Sequence, residues 1–88
     1  MKSKQDFEIS EIKVIAREFW PEADKRSMDL FTLDMEHVYG TPLFAAIELG
    51  TSAWARFGDL GKSTEFSLRV AREFPEYDTD GPVGDHRC

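Results

Sequence analysis

Thr41–Phe57 reads TPLFAAIELGTSAWARF, and whether this stretch is one helix decides the fold. Leu43, Ala46, Ile47, Gly50, Trp54 and Phe57 recur at three- and four-residue steps. That period lines one face of an α-helix, not of a strand. Thr41 offers a side-chain cap, and Pro42 suits the first helical position, where a missing N–H removes no bond. The spacing predicts a central helix over 41–57, buried through Ala46, Ile47 and Trp54. Within it, Gly50 costs about 1 kcal/mol relative to alanine. Ala46, Gly50 and Ala53 leave a notch where another helix, or a second copy of the chain, can approach. Gly50 can also divide the stretch, because Thr51 or Ser52 can cap a second helix.

Upstream, Gly40 is a candidate left-handed cap that ends a helix running from Ser27 or Asp29 to about Tyr39. Phe31, Met35 and Val38 form its apolar ladder. Residues 30–35 also alternate in the manner of a strand, with Phe31, Leu33 and Met35 on one side. A single strand has no partner here, so helix is the preferred reading. Pro21–Ser27 is either a helical turn or a charged connector. Before it, Phe7–Phe19 carries Ile9, Ile12, Ile15, Ala16 and Phe19 at helical spacing, capped by Ser3 or Asp6 and closed before Pro21.

Downstream, Gly58–Gly61 is a turn and Ser63 the expected cap of a last helix. Phe66, Val70 and Phe74 line that helix, Leu68 and Ala71 extend its face, and Pro75 ends it. Glu76 onward reads EYDTDGPVGDHRC, acidic and rich in Gly and Pro, which predicts a disordered tail. The expectation is an all-α, four-helix domain over residues 7–75 with an acidic tail over 76–88.

Eighty-eight residues suffice for one small core, burying about 60–65% of the unfolded surface. The net charge of −6 is uneven: residues 1–26 are neutral, 27–60 carry −4 and 61–88 carry −2. Such a surface repels phosphate backbones and favours basic partners. Cys88 is the only cysteine, so no internal disulfide is possible. No apolar run approaches the roughly 20 residues of a membrane span, and the N-terminus lacks a signal-peptide core. The expected compartment is the cytoplasm.

No motif carries chemistry. Gly61-Lys62-Ser63-Thr64 resembles the end of a phosphate loop, but Arg56 stands where its first glycine belongs. Glu76–Gly81 echoes a calcium loop whose closing glutamate would be Arg87. Asp34 and His37 are two metal ligands without a third, and His86 with Cys88 is another incomplete pair. No nucleophile has an activating partner. The Gly40-Thr41-Pro42 corner suggests a helix-turn-helix, yet the following helix offers Leu43, Phe44, Ala45 and Glu48 where base-reading side chains belong. No enzyme activity, metal or cofactor is expected, and no direct contact with nucleic acid or membrane.

Three segments carry a family resemblance: Ile15–Glu18 (IARE), Ser27–Phe31 (SMDLF) and Leu43–Gly50 (LFAAIELG). Over residues 12–50 the chain resembles a small uncharacterised helical domain of phage and mobile-element proteins, departing from it at Pro42 and Ile47. The resemblance implies a phage or plasmid origin and a helix end at Gly50.

Taken with the charge, these residues predict a non-enzymatic protein-binding module. It would be a small acidic inhibitor of a host defence complex, anti-CRISPR-like, that covers a basic, nucleic-acid-binding surface. The candidate contact residues are Asp29, Asp34, Glu36, Phe44, Glu48 and Asp59. The alternative is a homodimeric regulatory or assembly subunit, joined through the notch or an exposed aromatic face. A DNA-binding domain ranks behind both.

Overall fold

The computed structural model describes residues 3–78, and within them the chain forms four α-helices and a final 3-10 turn. Helix α1 spans Lys4–Phe19, α2 Lys25–Val38, α3 Ala46–Phe57 and α4 Leu60–Glu73, followed by Pro75–Tyr77. The described residues contain no strand, so residues 30–35 are helical.

Capping residues set the boundaries. Ser3 and Asp6 form a reciprocal capping box, so α1 starts three residues earlier than its apolar period indicates. Asp24, rather than Ser27 or Asp29, caps α2, accepting the Ser27 N–H at 3.0 Å. Gly40 takes the left-handed conformation expected of it, with φ +81°. Asp59 caps α4 through the Lys62 N–H at 3.0 Å, so Ser63 falls inside the helix. Asp59 itself sits at φ +66°, which a short polar side chain tolerates.

The central stretch departs most from its pattern. Thr41 and Pro42 do not open α3; they belong to consecutive turns through Ala45. Thr41 Oγ1 donates to the Val38 carbonyl at 2.6 Å and accepts the Leu43 N–H at 3.1 Å, so it holds the turn rather than capping α3, whose N-cap, Ala45, has no side-chain bond. These turns carry Phe44 into the core, between the rings of Tyr39 and Tyr77 at 4.7 Å from each.

The inward face of α3 is rotated too. Ala46, Leu49, Gly50 and Ala53 are buried, whereas Ile47 and Trp54 are 58% and 50% exposed. Gly50 neither ends nor divides α3. A Cβ there would stand 2.8 Å from Ser67 Cβ and 3.2 Å from the Ser63 carbonyl oxygen. The notch is filled by α4, and the Ser67 hydroxyl donates across it to the Ala46 carbonyl at 2.9 Å. Close approach of α4 requires a small residue at Gly50, and Ile47 and Trp54 fall outside the contact.

Phe66 of α4 sits at the centre of the core. Edge contacts join it to Phe19, Trp20 and Phe31, and Trp20 stacks on Phe57 at 4.8 Å. A second cluster holds the end of the chain. The buried Glu8 carboxylate accepts the Tyr39 hydroxyl at 2.5 Å and the Tyr77 hydroxyl at 2.7 Å. Tyr77, assigned to the tail by composition, is thus part of the packed body. Residues 79–88, with His86, Cys88 and most of the expected tail, lie outside the described residues.

The body measures 44 × 35 × 19 Å. Its thin dimension is about two helix diameters, so each helix keeps one face in water.

Candidate functional site: a groove between α3 and α4

Rotation of α3 gives the surface its main feature. Ile47 and Trp54 flank the line where α3 meets α4, and Leu60 and Leu68 flank it from α4. All four are half or more exposed. Between them runs a groove of about 340 Å³ floored by small residues, among them Gly50, Ser63 and Ser67. The Ser63 hydroxyl on that floor is buried and has no hydrogen-bond partner among the described residues. Asp78, at one end, is the single ionisable lining residue.

Trp54 brings on the order of 150–250 Å², and at about half exposure it and the three aliphatic side chains together leave on the order of 400 Å² of apolar area in water. That matches the largest patch of a typical monomer, which is often functional. Leu68, expected to extend the buried face of α4, belongs to this patch instead.

The six candidate contact residues do not form one site. Phe44 is 4% exposed and cannot contact a partner, because its ring is the centre of the Tyr39–Tyr77 cluster. Asp34 and Glu48 line a depression between α2 and α3 with His37, Leu43 and Arg56. Asp34 is already engaged there. Arg56 grips it with two bonds at 2.7 and 2.9 Å, and the Ser52 hydroxyl donates to it at 2.8 Å. The Arg56 guanidinium holds the Asp34 carboxyl below its usual range. Asp29 and Glu36 are seven residues apart and share the outer face of α2. Asp29 pairs with Lys25 at 2.6 Å. Asp59 caps α4 at the α3–α4 corner. Of the five carboxylates in residues 27–60, Glu36, Glu48 and Asp59 make no ion pair among the described residues.

Other charges serve the fold. Arg69 pairs with Glu18 of α1 and with Glu73, and Arg17 donates to the carbonyls of Trp20, Pro21 and Ala23. Among the described residues, no three His, Cys, Asp or Glu side chains gather where they could hold a metal. No helix among them is long and apolar enough to cross a membrane.

Comparison with family models, curated proteins and solved structures finds no match.

Sequence reasoning missed Ile47, Trp54, Leu60 and Leu68 as surface residues. The signal was present. Ala46, Leu49, Gly50 and Ala53 form a competing ladder of mostly small residues at the same helical spacing. The two ladders share Ala46 and Gly50, both buried; the error lay in taking Ile47 and Trp54, rather than Leu49 and Ala53, as their inward companions.

Proposed function

We propose that this chain is a non-enzymatic protein-binding module whose docking face is the α3–α4 groove. One observation carries the reading: Ile47, Trp54, Leu60 and Leu68 stand in water around a single furrow. Leaving four large apolar side chains about half exposed forgoes roughly half of the about 1.5–3 kcal/mol that full burial of each would bring. A contact that covers them recovers it. Trp54 is the natural anchor, because tryptophan dominates the energetic centre of protein interfaces.

The charge adds a second property. Glu36, Glu48 and Asp59, free of ion pairs within the described residues, and a net charge of −6 favour approach to a basic surface. That is the support for the finer reading, an inhibitor that shields a nucleic-acid-binding surface of a host defence complex. Its phage or mobile-element setting rests on the resemblance over residues 12–50.

The test is affinity capture with three baits: the unaltered chain, Trp54→Glu and Leu33→Glu. Leu33 is 57% exposed on the outer side of α2 and lies away from the groove. A partner held by the unaltered chain and Leu33→Glu, but lost by Trp54→Glu, is the expected outcome. Equal capture by all three refutes the groove as the docking face.

A further inference from the structure

We infer that the occupant of the α3–α4 groove is a second copy of this chain, packed about a two-fold axis with Trp54 of each protomer in the furrow of the other. The inference rests on reading the groove as a docking face and adds the identity of what fills it.

Charge argues first. A two-fold interface sets a patch against itself. On the outer face of α2 this would oppose Asp29 and Glu36 to their own copies, and like charges across an interface cost affinity. The groove lining is uncharged except for Asp78 at its end. It is a face that a chain of net charge −6 can bury against itself without that cost. A basic partner finds in the furrow only the Asp78 carboxylate at its end; Glu48 lines the α2–α3 depression and Glu36 lies on the outer face of α2.

Shape argues second. The patch holds both a projecting group and a receiving one. Trp54 is half exposed on the ridge, and the furrow beside it, about 340 Å³ with a floor of Gly50, Ser63 and Ser67, has room for an indole. A surface with knob and hole side by side meets the self-complementarity that a two-fold contact demands.

Area sets the strength. The exposed apolar patch, on the order of 400 Å², is about half of the ~800 Å² per partner that standard stable complexes bury. The dimer is therefore weak and reversible, forming with rising concentration. It leaves the carboxylates of α2 and Glu48 on the outside, in duplicate.

Sedimentation equilibrium from micromolar to millimolar concentration tests this. The unaltered chain is expected to pass from 10.1 kDa toward twice that mass. Trp54→Glu and Leu68→Glu, each placing two carboxylates in the two-fold contact, weaken association at least tenfold and keep the helical spectrum of the parent. Leu33→Glu associates as the unaltered chain does. A chain that holds its single mass at millimolar concentration overturns the inference, and so does association that survives Trp54→Glu and Leu68→Glu or is lost equally in Leu33→Glu. If the chain stays single while Trp54→Glu still abolishes capture of a partner, the second copy is excluded and the docking face stands. If neither mass nor capture responds to Trp54→Glu, both readings fall.

Discussion

Gly50→Ala sets two effects of known size against each other at one atom. Alanine in mid-helix gains about 1 kcal/mol over glycine. The added Cβ, however, meets Ser67 Cβ at 2.8 Å and the Ser63 carbonyl oxygen at 3.2 Å. Carbon atoms prefer about 3.5–4.0 Å, so α3 and α4 must separate. Separation strains a packed interface at a cost of about 1–3 kcal/mol, and it stretches the Ser67–Ala46 bond. Both neighbours are main chain or Cβ, not the ends of flexible side chains, so the upper half of that range applies. The net expectation is a loss of about 1–2 kcal/mol. In a domain of this size that lowers the melting temperature by about 5–10 °C. Thermal and denaturant unfolding followed by circular dichroism measure it. The cycle with Ser67→Gly sharpens the attribution, because removing the opposing Cβ should reduce the penalty of Gly50→Ala by most of its value. A melting temperature that rises in Gly50→Ala refutes the close approach of α3 and α4, and with it the reason Ile47 and Trp54 face outward.

Trp54→Ala, at a half-exposed position, should change stability by less than about 1 kcal/mol in the same unfolding assay, whereas Phe66→Ala at the centre of the core should cost about 3–5 kcal/mol. The Asp34 carboxyl titrates below its usual 3.8 because Arg56 grips it, so its contribution is complete above that value and lost as pH falls through the lower, folded-state one. The stability difference between the parent and Asp34→Asn should thus be constant above about pH 4 and shrink in acid. Burial, then the Glu8 carboxylate, raises the Tyr77 hydroxyl above its usual 10.0, so its stabilisation is complete below that pH and lost progressively above it. Tyr77→Phe should cost about 1 kcal/mol at neutral pH, from the bond to Glu8, and lose less stability than the parent in base.

Much of the fold was legible because the information is local. Ile9, Ile12, Ile15 and Ala16 repeat at helical spacing, and all are buried. Gly40 and Pro75 stop helices where steric rules require it. The strand alternative at residues 30–35 had no partner and did not form. What was hidden depends on contacts distant in sequence. Thr41-Pro42 has the local form of a helix start, but Phe44 is drawn between Tyr39 and Tyr77, and Tyr77 is held by Glu8, 69 residues away. That packing delays α3 to Ala46. The inner face of α3 was likewise settled by Ser63 and Ser67, which no local pattern links to Gly50.

The candidate site was less legible for the same reason. Charge per segment locates carboxylates along the chain, not in space, and folding scattered them over α2, the α2–α3 depression and the α3–α4 corner. Asp34 was spent on Arg56, 22 residues on, a pairing that the count of charges does not show.

The two indole N–H resonances test the groove most directly. Trp20 is 6% exposed in the core and Trp54 is 50% exposed at the groove, so one spectrum holds both the probe and its internal control. As protein concentration rises, or as a binding partner is added, the Trp54 signal should move toward saturation while the Trp20 signal stays in place. A Trp54 resonance that remains fixed from dilute to millimolar solution and in the presence of a bound partner contradicts the assignment of the α3–α4 groove as a protein-docking face.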